Sequence, residues 1–117
     1  MDLALSHDLT VPVGGHRMGD TGVHVAIPEG HVGMLFVRSS TGIKRNLVLS
    51  NGTGIIDQGF RGQIKLSLHN TGDTTQHIQA GDYIAQLVVT PTHNHDICEV
   101  PALQHTQRGI NAIGSSN

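Results

Sequence analysis

Apolar and polar positions alternate along this chain over short stretches, the period that a β-strand with one covered face imposes. Val23, Val25 and Ile27 alternate with His24 and Ala26 before Pro28-Glu29-Gly30 turns the chain. Residues 32–37 (VGMLFV) make a nearly continuous apolar run, the type expected of a strand covered on both faces, and Leu47–Leu49 follows. Asn51-Gly52 predicts a tight hairpin, because both residues tolerate positive φ, and Gly54 adds a second unhindered position. Ile64, Leu66 and Leu68 alternate with Lys65 and Ser67, and Thr71-Gly72-Asp73 predicts the next turn. Ala80-Gly81-Asp82 then precedes a strand over residues 83–89, which Pro91 ends because proline cannot donate to a ladder. Residues 81–87 are the one stretch with a helical alternative, and Val88 and Val89 argue for strand. Short strands at this spacing predict an all-β sandwich or barrel. The apolar period disappears at residue 104, so residues 1–103 read as one barrel domain and 104–117 as a mobile polar arm.

Composition narrows the picture. A chain of 117 residues is one domain, and 37% hydrophobic with 14% charged residues places it among folding chains. Fifteen glycines are roughly twice the usual share of ~7% and fall between the β-branched runs. Lys and Arg number 7 against 9 Asp and Glu, a net charge of −2, which leaves no basic field for a nucleic-acid polymer. The longest apolar run, residues 84–89 with Gln86 inside it, is far short of the ~20 residues of a membrane span. Met1 is followed by Asp2 and a polar stretch, unlike a secretory signal, and the single Cys98 cannot form an internal disulfide. A cytoplasmic protein is expected, in host cytoplasm if the source is viral. Aromatic residues make up only 3%, so a small monomeric core lacks large rings and oligomerisation is expected.

Three segments carry candidate chemistry. Residues 51–62 (NGTGIIDQGFRG) expose backbone donors and acceptors able to read the edge of a flat heterocycle, with a carboxylate, Asp57, and a ring, Phe60, just beyond. A plain turn with a solvated Asp57 and a core Phe60 is the alternative. Arg38-Ser39-Ser40 ends a buried strand and suits a phosphate through charge-assisted bonds, though a polar loop explains it too. Gln86 sits in an apolar stretch, where an unpaired buried amide costs about 1–3 kcal/mol, so a partner is expected, structural or ligand. Arg108-Gly109 and Gly114-Ser115-Ser116 lie in a tail that could close over an anion. Among nine histidines, His93, His95, Asp96 and Cys98 are the densest group, a zinc candidate against the plainer reading of a polar connection. His16, His24, His31, His69, His77 and His105 read as scattered surface or interface residues.

In order and spacing these segments resemble the five motifs of the trimeric dUTPase family, over nearly the whole chain. Asp2-Leu3 resembles the end of the first motif and Arg38-Ser39-Ser40 the second. Gly54-Ile55-Ile56-Asp57 through Phe60-Arg61-Gly62 resembles the third, residues 81–87 (GDYIAQL) the fourth, and Arg108-Gly109 through Gly114-Ser115-Ser116 the fifth. The resemblance implies a jelly-roll subunit, a homotrimer with shared active sites, and Mg²⁺-dependent hydrolysis of dUTP to dUMP and pyrophosphate. It implies that Asp57 orients or deprotonates the attacking water, and that Asn51 with the backbone of Gly54 and Ile55 binds uracil. Phe60 would pack under the deoxyribose, while Arg38, Ser39 and Ser40 would contact phosphates from a neighbouring subunit. Gln86 would reach the α-phosphate or a metal-bound water. Arg108, Ile113, Gly114, Ser115 and Ser116 would close from a swapped arm, and Asp2 would touch the Mg²⁺ through water.

Several positions depart from the family pattern. The chain opens at Met1-Asp2 without the Ala-Gly pair of the first motif, so the preceding edge strand is expected to be missing or replaced. Ser40-Thr41-Gly42 replaces Gly-Leu-Ala, Tyr83 an arginine, Phe60 a tyrosine, Ile113 a stacking phenylalanine and Asn117 a glycine. These changes keep open a catalytically weakened nucleotide-binding or regulatory protein of the same fold. The sister dCTP deaminases carry a glutamate in the strand after the third motif; residues 63–68 (QIKLSL) hold no carboxylate, which argues against that chemistry.

Overall fold

A computed structural model describes residues 1–93 and 95–114. Among the described residues nine strands and one short helix occur in the order β1 (Asp2–Ala4), β2 (Leu9–Val11), β3 (His16–Asp20), β4 (His31–Val37), α1 (Ser39–Arg45), β5 (Leu47–Leu49), β6 (Gly54–Ile56), β7 (Lys65–Asn70), β8 (Gln76–Ile78) and β9 (Tyr83–Pro91). They form a four-stranded sheet β1-β9-β4-β6, a pair β2-β8 and a three-stranded sheet β3-β7-β5. Every pairing is antiparallel. This is the all-β jelly roll expected from the alternation, with one face of each sheet turned inward. Leu35, Ile56, Ala85 and Leu87 from the four-stranded sheet meet Leu47, Leu49, Leu66 and Leu68 from the three-stranded one, all buried. Among the described residues no helix is long and apolar enough to cross a membrane.

The strands at residues 64–68 and 83–89 fall where the alternation predicts them. Four other features differ from the sequence reading, each for a tertiary reason. Asn51-Gly52 turns the chain, with Gly52 N–H donating to Leu49 O at 2.9 Å and Gly52 at φ +73°. It is not a hairpin, because β5 pairs with β7 and β6 with β4, so the chain changes sheets there. Residues 21–28 keep alternating burial but form no ladder; their backbone bonds across to the neighbouring segment are those of Thr21 and Val23 with Ile64. The run at 32–37 alternates too: Gly33 and Leu35 are buried, whereas Val32, Met34 and Phe36 are half-buried, since within one chain a single face of β4 is covered.

The fourth difference is α1, in a stretch of modest helix propensity. Tertiary bonds hold it: the buried Thr41 donates its hydroxyl to Ile84 O at 2.8 Å, and Arg38 N–H donates to the same oxygen at 3.0 Å. Lys44 and Arg45 in the last turn and Asn46 in the left-handed region (φ 54°) complete its C-terminus. At the opposite end of the chain, β1 forms the sheet edge on β9, so an edge strand is present at residues 2–4. Beyond β9 the described residues carry no strand and are exposed; Ile97, Leu103, Ile110 and Ile113 are 86% exposed or more. The radius of gyration, 18.6 Å against about 13 Å for a compact chain of 100 residues, reflects this extended segment.

Candidate functional site

The turn between β5 and β6 opens a pocket of about 460 Å³ walled by Ser50, Asn51, Gly54, Lys65 and Ser67, with Leu35 beneath. Gly54 is required by close approach: a Cβ there would lie 2.9 Å from the Leu35 side chain. Because β6 is the edge strand of its sheet, part of the backbone edge of Gly54 and Ile55 faces away from β4, free to bond a flat ring. The Ile55 side chain, 55% exposed, points to the outer face of the sheet.

Asp57 follows β6 directly. Its carboxylate is exposed and has no ion pair or hydrogen bond among the described residues, so it is available to a substrate. It borders a separate hollow of about 290 Å³ with His31, Gln58 and Thr92. Phe60 N–H donates to Asp57 O at 3.2 Å, closing the turn that carries the ring. Phe60 is 43% exposed, not a core residue, and its ring folds over Gly62, where a Cβ would sit 2.6 Å from Cζ. His24 Nδ1 lies 2.9 Å from Arg61 O and braces the same loop.

A third group gathers at β1 and β9. Asp2 and Phe36 flank Gln86 directly across the sheet on either side, on its outer face. Arg38 Nε lies 3.7 Å from Asp2 Oδ1, with both side chains about 40% exposed, and Arg38 Nη1 donates to Tyr83 O at 3.3 Å. The Gln86 amide is half-exposed and makes no hydrogen bond among the described residues. No structural partner stands among the described residues, and strand alternation is the reason: Ala85 and Leu87 take the buried face and Gln86 the outer one. Ser39 and Ser40 are exposed in the first turn of α1, just past Arg38.

These groups stay apart in one chain. Asp57 follows Ile56, which faces Gly33, while Gln86 faces Phe36, three positions or about 10 Å further along β4. Among the described residues Arg108 bonds within its own turn, through Nε to Asn111 O at 3.0 Å, and Ile113 and Gly114 are exposed and do not line the pocket. Ser115 and Ser116 lie outside the described residues. His93 and His95 have ring centroids 5.6 Å apart, but among the described residues no three metal-ligating side chains gather. Sequence reasoning missed Ser50, Ser67 and Lys65 as pocket walls; the only prior signal was the proximity of Ser50 to Asn51.

Fold and site together define a β jelly-roll protein with a pocket at the start of β6 and, at the end of the same strand, a carboxylate without a partner among the described residues. The family model described as dUTPase matches residues 1–117. The deoxyuridine 5'-triphosphate nucleotidohydrolase of Corynebacterium diphtheriae is 39% identical over 116 residues, covering 98% of this chain and 76% of that one. The enzyme of the same name from Escherichia phage T5 is 44% identical over 106 residues, covering 88% and 70%. A solved structure of the Staphylococcus bacteriophage 80alpha dUTPase with dUPNHPP superposes with a TM-score of 0.91 at 26% identity, covering 99% and 84%. The chain belongs to the dUTPase family, a family of dUTP diphosphatases.

Proposed function

We propose that this chain hydrolyses dUTP to dUMP and pyrophosphate as a homotrimer with Mg²⁺. The free Asp57 carboxylate at the end of β6, the strand whose start at Gly54 lines the pocket behind Asn51, carries this reading. Asp57 accepts a proton from water as the water oxygen bonds to the α-phosphorus; the bond from that phosphorus to the bridging oxygen breaks, and pyrophosphate leaves with the electron pair. Asn51 and the edge of β6 at Gly54 and Ile55 take the uracil, and the Phe60 ring lies under the deoxyribose where a 2′-hydroxyl would crowd it.

Three copies explain why one chain holds its site in pieces. Met34, Phe36, Ile55 and Val88 present an apolar outer face that the described residues leave at least partly open; Ile55 and Val88 are 55% and 43% exposed. Covering that face brings Arg38, Ser39, Ser40 and Gln86 of one copy toward the loops of another. The arm of residues 104–117 supplies Arg108, Ile113, Gly114, Ser115 and Ser116 to a third position, closing on the β- and γ-phosphates. The donor set suits a metal held chiefly by phosphates: with no three-ligand group among the described residues, Asp2 and the Gln86 amide offer hard oxygens to the water shell of Mg²⁺. When bound, Mg²⁺ neutralises phosphate charge.

Pyrophosphate release from dUTP, dTTP, dCTP and UTP, with and without Mg²⁺, tests the reading. Metal-dependent release from dUTP alone is expected. Nucleotide binding without release would favour the regulatory alternative, to which the altered arm residue Ile113 points.

A further inference from the structure

His16 and His69 stand directly opposite each other on β3 and β7, and their rings stack with centroids 4.0 Å apart and planes 7° from parallel. A cross-strand ring pair fixes the orientation of both side chains. The stack sets His16 Nδ1 2.8 Å from the Ser50 hydroxyl, to which Ser67 Oγ donates at 2.7 Å. The Ser50 hydroxyl, which can accept two bonds and donate one, links the Ser67 hydroxyl to His16 Nδ1, the direction of the second bond following the imidazole tautomer. Ser50 N–H also donates to Ser67 O at 2.8 Å. Residue 50 is thus tied to β7 by backbone and side chain, and to β3 by side chain.

This anchor sits at the pocket. Ser50 and Ser67 both line the 460 Å³ cavity, and Ser50 immediately precedes Asn51. The remaining bonds of the turn, Gly52 N–H to Leu49 O and Thr53 N–H to Asn51 O, are local and tie it to nothing outside itself. Asn51 is therefore held to the barrel from one side by Ser50 and from the other by Gly54 in β6, and on the Ser50 side its position depends on what holds that residue. We propose that His16, clamped by His69, is a positioning residue for the pyrimidine: through Ser50 it fixes the Asn51 turn in the place where the base binds. The inference rests on the dUTP reading above and adds two residues to it that touch no substrate.

His16→Phe keeps a ring to stack on His69 and removes Nδ1. KM for dUTP should rise roughly three- to tenfold, the effect of one lost hydrogen bond, with kcat within about twofold of the parent. Amide exchange at residues 50–53 should speed up by a similar factor. His16→Asn returns an amide near the Nδ1 position and should recover most of the KM. Ser50→Ala should raise KM as His16→Phe does, and the double variant should be no worse than either alone, which also covers the case of a poorly folding His16→Phe. Parent-like KM and exchange in His16→Phe, or additive effects in the double variant, would overturn the positioning role alone. A parent protein that neither binds nor cleaves dUTP would overturn the dUTP reading and this role with it.

Discussion

Asp57 needs only to stay free and exposed, which makes its substitution a clean test of chemistry. Asp57→Asn keeps the size of the side chain and breaks no bond among the described residues, so the fold should be unchanged in thermal unfolding. Loss of a positioned base should lower kcat by about 10²- to 10⁴-fold. Near-parental turnover would remove Asp57 from the mechanism. Gly62 has a different importance. A methyl group there meets the outer edge of the Phe60 ring, which can swing aside, so Gly62→Ala should leave the melting temperature almost unchanged. It should instead displace the ring and cut the preference for dUTP over UTP by about tenfold or more, read from kcat/KM for both nucleotides. The approach of Phe60 to Gly62 also explains why phenylalanine serves here: packing positions the ring, and no phenol oxygen is involved in that contact.

At the scale of elements, the helix α1 is the instructive case. Two turns containing Thr41, Gly42 and Ile43 do not form a stable helix alone, and Arg38 provides no side-chain cap. Anchoring comes from Thr41 to Ile84 and from the Arg45 to Asp82 ion pair, 3.5 Å, both to the start of β9. Thr41→Val keeps the shape and removes the hydroxyl, so it should cost about 1 kcal/mol, a fall in melting temperature of several degrees by calorimetry. Because Arg38 and Ser39 ride on the first turn, the same variant should raise KM for dUTP, whereas a purely structural helix would lower the melting temperature with KM unmoved. The β5–β6 turn teaches the complementary lesson. Its residues specify a reversal, but which strands it joins depends on Gly54 fitting against Leu35 and hence on β4.

For the whole molecule, the outer face of the four-stranded sheet is the deciding surface. Val88 lies on that face opposite Met34, and Met34 opposite Ile55, a strip crossing three strands. Val88→Asp places a charge on the strip without touching the inner core. Sedimentation should show a trimer for the parent and a folded monomer for the variant, and hydrolysis should vanish with the trimer. A trimeric and active Val88→Asp would show that subunits do not join through this face.

Much was legible along the chain alone. Alternation located β7 and β9, the all-β class followed from it, and the spacing of Arg38, Asn51, Asp57 and Gln86 pointed to the family that the comparisons then matched. Local periodicity can do this because the side chains of a strand alternate faces whatever the strand pairs with. What it could not decide were long-range matters: that residues 21–28 find no ladder, that Asn51-Gly52 crosses between sheets, that Gln86 faces outward and unbonded. The histidines show the limit most plainly. His16 and His69 are 53 positions apart and unremarkable in sequence, and only the register of β3 on β7 stacks them behind the turn at Asn51.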